Sequence, residues 1–508
     1  MLPEMLNFWQ ANLVYASAAI TTCLIVGGAI AASSRKTPLP PGPKGWPVIG
    51  NLFDMPKGKQ WIGFAELAKR WGDIYSLNVL GQTIIIVNSV DIAHELMDKR
   101  GTNYSNRIVQ VMGGRLVGFD KTLVLLQYGD RLQQERKLFH QLLGNPTSLG
   151  QFFPCLENEA KKLVRRIIKK PDGIYEHLRT ASGAVALKIA YGYELREDLN
   201  VDPFVAMAEQ MTQHFSHTHR PGAYLVDYIP ALKYIPAWFP GAKFKRQAKL
   251  WAEDITRTID EPHKFVKQKM ATGTAEASFT SNSLEAHPEL EQEIKDVASA
   301  VYTVATFEAL IVALTLHSEI QRKAQVEIDN VTGGERLPTV LDHNQMPYVD
   351  ALCKEILRWH VILPMGFPHV AKEDDIYNGY FIPKGAMILP NAWQMGHDPN
   401  VYSDPFTFNP DRFLGQQPEP DPRSYCFGFG RRISFFTGKK LADYNLFITV
   451  ATLLACLDIF PLTEQVRRES KHEQKIGALR SYACSYPVRI PCAVKHRNTE
   501  MIRLVEDS

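Results

Sequence analysis

The chain has no C-x-x-C pair, and its seven cysteines (Cys23, Cys155, Cys353, Cys426, Cys456, Cys484, Cys492) are scattered and odd in number. That argues against a disulfide scaffold or a zinc site and fits a reducing compartment. Charge of one sign is not in excess either. Lys and Arg total 57, Asp and Glu 54, and the formal net charge is +3. No nucleic acid or other strong polyanion is implied as a partner. Length alone, 508 residues, allows two or three domains, with composition ordinary for a globular protein.

One long charge-free apolar run is present, Leu13 to Ala32. At 1.5 Å per residue it is long enough for a bilayer core. Only Glu4 precedes it, and Arg35 and Lys36 follow, which places the remainder of the chain in the cytosol. The alternative is a cleaved signal peptide ending near Ala29-Ile30-Ala31, but the basic start of such a peptide is missing. Prolines at 38, 40, 41 and 43 then make a stiff spacer. The expected organisation is an anchor over 1–36, a proline-rich hinge over 37–50 and a globular part over 51–508.

The globular part reads as mainly helical with minor sheet. Residues 60–72 put Trp61, Phe64, Leu67 and Ala68 on one helix face. Ile74 to Asn88 alternates around Gly81-Gln82, a hairpin. Ile92–Arg100, Tyr128–Leu143 and Glu291–Leu316 are expected as helices, as is much of Asn158–Ala271. Tyr348–His360 is another, with Glu355 and Arg358 at i and i+3. Three prolines and several aromatics interrupt the helical pattern over Tyr228–Pro240, and Thr272–Ser283 reads as a linker. Near the end, Phe427, Gly428, Gly430, Arg431 and Arg432 lead through Ser434 to Gly438 and a helix over Lys439–Ile459. Glycines of this kind let a backbone fold beneath a flat ligand, and a following helix offers its amides to an anion.

That loop resembles F-x-x-G-x-R-x-C-x-G, the haem loop of the cytochrome P-450 family, with Ser434 at the cysteine position and two further residues before Gly438. The resemblance extends over roughly residues 38 to 492. It is most similar to membrane-anchored, microsomal, fungal-type haem-thiolate monooxygenases. It implies the P-450 fold behind one N-terminal transmembrane helix, and haem b as cofactor. It also implies an NADPH-dependent P-450 reductase as electron donor and a lipophilic small molecule as substrate. The location implied is the endoplasmic reticulum membrane, single-pass, with the catalytic domain cytosolic. Glu355 and Arg358 resemble the E-x-x-R pair, with Arg412 of Phe408-Asn-Pro-Asp-Arg-Phe413 as third partner, all three structural. Arg136 and His369 match positions that meet a haem propionate; Phe427, Gly430 and Arg432 belong to the haem loop. For Arg136 and His369 the alternatives are a solvated arginine and a satisfied loop histidine. Tyr228–Pro240 matches the family's channel lid, often dipped into the membrane; the alternative is a packed interhelix loop.

Two departures touch the chemistry. The family's thiolate favours O–O cleavage, and a serine hydroxyl at 434 is a poor neutral ligand. Cys426, eight residues upstream, would need the whole loop re-registered. The family's oxygen-activating A/G-G-x-D/E-T-T is also missing between Val301 and Leu310, and the interval from Thr303 to His317 is short. Thr306 and Glu308 are the local alcohol and acid, but two residues apart on a helix they do not face each other. The resemblance thus implies a haem monooxygenase. It leaves open an inactive paralogue or ligand-binding protein, or a mis-spliced reading of an active enzyme's gene. The expected pocket segments are Asn103–Asp120, the Tyr228 lid and Gly477–Leu479.

Overall fold

The computed structural model describes residues 37–144, 146–196, 201–220, 222–299, 305–431, 438–466 and 487–507. The Leu13–Ala32 run, Val301–Val304, Arg432, Ser434 and Gly477–Leu479 lie outside the described residues. Within them, no helix is long and apolar enough to cross a membrane.

Helix α1 (Gln60–Trp71) buries Trp61, Phe64 and Ala65 and ends at Gly72, whose φ is +88°. Strands β1 (Ile74–Val79) and β2 (Gln82–Val87) form the expected hairpin, pairing Ile74 with Val87 and Val79 with Gln82. Its two turn residues, Leu80 and Gly81, both have positive φ, the geometry that matches strand twist. The segment after it is not one regular helix. A single turn, Val90–Ala93, is capped by Ser89 and widens into a π-helical stretch, His94–Lys99.

Two short strands complete the main sheet from far along the chain: β3 (Asn106–Arg107) and β4 (His369–Val370). A second hairpin follows, β5 (Asp375–Tyr377) with β6 (Tyr380–Ile382), and then β7 (Met387–Pro390). The sheet order is β1-β2-β7-β4-β3. Strand β7 runs parallel to β2 and antiparallel to β4, and β3 pairs antiparallel with β4.

The helical body comprises α2 (Asp130–Leu143), α3 (Phe153–Lys169), α4 (Ile174–Tyr191), α5 (Pro203–Thr218) and α6 (Lys243–Ala271). It continues with α7 (Phe279–Ala286), α8 (Glu291–Ala298), α9 (Ala305–Leu316), α10 (Ser318–Thr332) and α11 (Pro347–Trp359). Last come α12 (Gly438–Cys456) and α13 (Thr499–Glu506). Helix α7 starts inside the stretch expected to be a linker, because Ser278 and Ser281 form a reciprocal capping box. The helix expected over Glu291–Leu316 is described as two pieces, α8 and α9. The last long helix stops at Cys456 rather than Ile459. Leu457–Pro461 leave it as strand β8, pairing with β9 (Cys492–His496).

Helices α9 and α12 are apolar on nearly every side and sit at the centre of one large core with α3, α4, α10 and α11. From Ala309 to Leu314 every residue of α9 has no solvent exposure. A helix that is apolar all round is stable only when enclosed in this way.

A buried ion cluster fastens the α11 end of this core to the segment that precedes the glycine-rich loop. Glu355 and Arg358 lie one turn apart on α11, both with no solvent exposure. Arg358 Nε and Nη2 each donate to the Glu355 carboxylate at 2.7 Å, a bidentate pair. Arg358 Nη1 also donates to the Gly396 and Pro405 carbonyls at 2.7 Å. Arg412 Nε approaches the same carboxylate at 3.3 Å, and its Nη1 donates to Glu419 at 2.6 Å. The Asn409 amide donates to Glu355 at 2.8 Å. Removing one member of such a cluster leaves buried charge uncompensated, at a cost of about 3–5 kcal/mol. Glu355→Gln should lower unfolding stability by roughly that amount in a denaturant titration. Lys69→Ala, which breaks the exposed Glu66–Lys69 pair, should cost at most about 1 kcal/mol.

Candidate functional site

Strands β3 and β4 put two cationic-type side chains at one place. Arg107 stands directly opposite His369 in the antiparallel register, so the two side chains leave the sheet on the same face. Both are buried, at 8% and 3% exposure. Arg107 Nη1 donates to the Phe367 carbonyl at 2.6 Å, and His369 Nδ1 is 2.6 Å from the Tyr104 carbonyl.

Both line a narrow cleft, together with Arg136 from α2 and with Leu123, Leu132 and Leu363. Tyr425–Phe429, the entry of the glycine-rich loop, also line it. A second, wider cleft adjoins it, lined by α2, α4, α9 and the start of α12. Thr306 and Phe307 of α9 face this second space. Leu363, Cys426 and Phe427 line both clefts and so form a wall that the two share.

Arg136 is the residue this geometry leaves unexplained. Its Nε is buried and has no acceptor among the described residues. Burial, and secondarily the neighbouring Arg431, makes its charge harder to hold than that of an ordinary arginine. The residue as a whole is half-buried, and its Nε is the atom that an anion in the cleft would satisfy.

Helix α2 is locked in place by its other charged side chains. Arg131 Nε donates to Glu135 at 2.9 Å, and Nη2 reaches Asp296 of α8 at 2.5 Å. Glu135 has no solvent exposure and its Oε2 has no partner among the described residues. Burial therefore pushes its carboxyl up to about 7, against the opposing pull of Arg131.

The loop entry is shaped by its glycines for different reasons. Gly430 has φ +72°, and a Cβ there would lie 2.1 Å from the Met97 carbonyl oxygen. Gly428 has φ +89° and open space where a Cβ would go. Gly430 serves chain packing, whereas Gly428 is called for by its left-handed backbone alone. Arg431 donates to the Tyr128 hydroxyl and lies over that ring.

Of the residues singled out from sequence, Arg136, His369 and Phe427 converge on the first cleft and Gly430 lies beside it. Arg432 and Ser434 lie outside the described residues. Glu355, Arg358 and Arg412 form a cluster of their own and line neither cleft. Thr306 faces the second cleft, but Glu308 does not join it. The Glu308 carboxylate, 1% exposed, accepts from Arg179 Nε at 3.1 Å and from Arg489 Nη2 at 3.0 Å. Sequence reasoning missed Arg107. Arg107 falls in the Asn103–Asp120 segment expected to be apolar pocket wall. Only the strand register, invisible in two-residue strands, aims it at His369.

A model of the family described as "Cytochrome P450" matches residues 40–482. The chain is 44% identical over 476 residues to "Cytochrome P450 monooxygenase 208" of Postia placenta, covering 92% of this chain and 91% of that one. It is 38% identical over 502 residues to "Cytochrome P450 monooxygenase claR" of Ampulloclitocybe clavipes, covering 96% and 92%. It is also 38% identical over 486 residues to "Cytochrome P450 monooxygenase ppsD" of Aspergillus oryzae, covering 92% and 90%.

The state of Glu135 yields a pH test. Its folded value is raised above the ordinary 4.5, so the stability it contributes is complete below pH 4.5 and is lost as pH rises through about 7. Glu135→Gln should therefore flatten the fall in denaturation midpoint between pH 4.5 and 7 relative to the unaltered chain, with the curves closest at the acid end.

Proposed function

The chain belongs to the cytochrome P450 family, and from that premise we propose that it is a membrane-bound haem monooxygenase acting on a lipophilic small molecule. The family is one of oxidoreductases whose cofactor is haem. When bound, the haem iron supplies activation of dioxygen, with electrons from a reductase partner.

The observation that carries the reading is the unsatisfied Arg136 at the first cleft. Haem is a flat apolar disc with two carboxylates, and the cleft offers apolar walls with cations at one side. Arg136 and His369, with Arg107 beside them, are the residues that would hold the carboxylates. Phe427 and Gly428 would form the wall beneath the disc, with Leu123, Leu132 and Leu363 as further apolar contacts. The residues present thus fit the group at its carboxylate side. At the family's cysteine position stands Ser434, whose hydroxyl is a poor match for iron. The second cleft, where Thr306 and Phe307 lie, would receive the substrate. Its apolar lining from α4 and α9 excludes water and favours a lipophilic molecule.

A second reading, a P450-fold protein that binds its ligand without turning it over, draws support from Glu308. With its carboxylate held by Arg179 and Arg489, it does not stand beside Thr306 as a proton relay. Thr306 alone offers a hydroxyl from α9 to the cleft. The two readings part on product formation by reductase-supplied protein, since both expect haem.

The membrane reading rests on the Leu13–Ala32 run and on an exposed aromatic segment between α5 and α6. Tyr234 and Trp238 are each 77% exposed, and Ile229 and Phe239 are about half exposed. Lys233 and Arg246 border them. Tyr and Trp over basic residues suit the headgroup level of a bilayer.

Three outcomes follow. The expressed full chain should carry close to one haem per molecule, by pyridine haemochrome assay. Arg136→Ala should weaken haem retention at least tenfold, and Arg136→Lys should recover part of it, by transfer to apomyoglobin. In vesicles containing brominated lipid, tryptophan fluorescence should be quenched, and Trp238→Phe should remove a measurable share of that quenching. A chain that binds no haem overturns the proposal.

A further inference from the structure

We propose that Asp98 is a positioning residue for the first cleft: its carboxylate fixes the glycine-rich loop at Gly430 and so sets the cleft wall that leads into it. The fixing of the loop stands on geometry alone. What it does for haem rests on the haem reading above.

Asp98 belongs to the π-helical stretch His94–Lys99. Its two carboxylate oxygens serve different elements. One accepts from the Gly430 amide, 332 positions away in the chain, and the other is hydrogen-bonded to His94 Nδ1 four residues back. The His94 ring in turn meets the buried Phe429 ring edge-on, 5.3 Å between centroids. The Met97 carbonyl occupies the space where a side chain at position 430 would begin. Phe429 and Gly430 are thus seated together on His94, Met97 and Asp98.

The seat is itself firmly anchored. Leu96 and Met97 have no solvent exposure and share one core with Tyr425 and Phe429. Arg100, just past the stretch, donates to both Asp375 oxygens at 3.0 Å and to the Ile376 carbonyl at 2.9 Å, on strand β5. Helical turns widened in this way are rare and recur where a helix serves a site. Here the widened turn presents a carbonyl and a carboxylate to one glycine. A charged acceptor makes this amide bond about twice as strong as a neutral one.

From Gly430 the effect reaches the cleft along the chain. Tyr425–Phe429 and Arg431 all line it, so Gly430 stands between lining residues. Arg431 is tied through its side chain, to the Tyr128 hydroxyl. The Gly428 amide makes a local turn, donating to the Tyr425 carbonyl at 3.0 Å. The Asp98 bond instead ties the loop's backbone to a distant, rigid part of the fold. Removing the carboxylate strips the Gly430 amide of this acceptor and lets the loop lift from its seat.

The test uses the full-length protein in detergent, first without haem. Hydrogen–deuterium exchange is read on peptides covering Tyr425–Arg431. Asp98→Ala should speed exchange there about tenfold, as loss of a bond to a charged group predicts. Asp98→Asn keeps an acceptor oxygen and should restore most of the protection, while the α11 peptide exchanges alike in all three proteins. Unchanged exchange in Asp98→Ala overturns the inference. An equal rise in α11 overturns it too, since Asp98 would then support the whole fold. Should Asp98→Ala not fold, His94→Phe decides, because it keeps a ring against Phe429 and removes the brace on Asp98. It should speed the same exchange about threefold, and no change overturns the inference. In the haem-loaded protein, Asp98→Ala should release haem to apomyoglobin about fivefold faster and alter the Soret circular dichroism, with Asp98→Asn recovering both. Release and dichroism equal to those of the unaltered chain overturn the step from loop to cleft. An unaltered chain that binds no haem overturns the haem reading, and the exchange result alone then decides whether Asp98 fixes the loop.

Discussion

The carboxylate of Glu355 is the point on which the architecture hangs. It is completely buried, yet it is met by two guanidiniums and a backbone amide, so its charge is compensated from three directions. Through Arg358 it reaches the carbonyls of Gly396 and Pro405, and through Arg412 those of Ser403 and Thr407. A single helix turn thereby fixes a largely irregular segment whose regular part is the short 3-10 turn Pro410–Phe413. Everything that follows, the Tyr425–Phe429 entry of the loop included, is delivered from that fixed segment. The cluster performs no chemistry, but the cleft wall is placed by it.

Against this rigid scaffold the cleft is assembled from parts far apart in the chain. The sheet supplies Arg107 and His369 through a two-residue pairing, α2 supplies Arg136, and the loop entry supplies Phe427 and Gly428. The walls are apolar and the cations sit to one side, an asymmetry suited to a ligand with one charged edge. The two departures read from the sequence, the serine at 434 and the missing oxygen motif between Val301 and Leu310, lie largely outside the described residues. The cleft lined by Arg107, Arg136 and His369 is described independently of them.

Much of this was legible in the sequence, for identifiable reasons. The hairpin at Leu80-Gly81, the amphipathic α1 and the i, i+3 pair on α11 follow from periodicity and turn chemistry that act locally. Arg136 and His369 were singled out by motif spacing, and the structure brings both to one cleft. Two things were not legible. The end of α12 at Cys456 depends on strand pairing with residues some thirty-five positions later, which no local propensity reports. The aim of Arg107 depends on a register between strands of two residues each.

The close approach of Gly430 to the Met97 carbonyl bears on how such a chain can persist. The glycine-rich loop is held at one end by this contact and at the other by the first turn of α12, at Gly438. Extra residues between two fixed ends change only the closure entropy of the loop. By the logarithmic dependence on length, even a doubling costs about 0.6 kcal/mol. The polypeptide's own folding would therefore register a longer loop only weakly. A change at position 434 reaches stability by a different route, through whatever binding free energy a ligand held there contributes to the folded state.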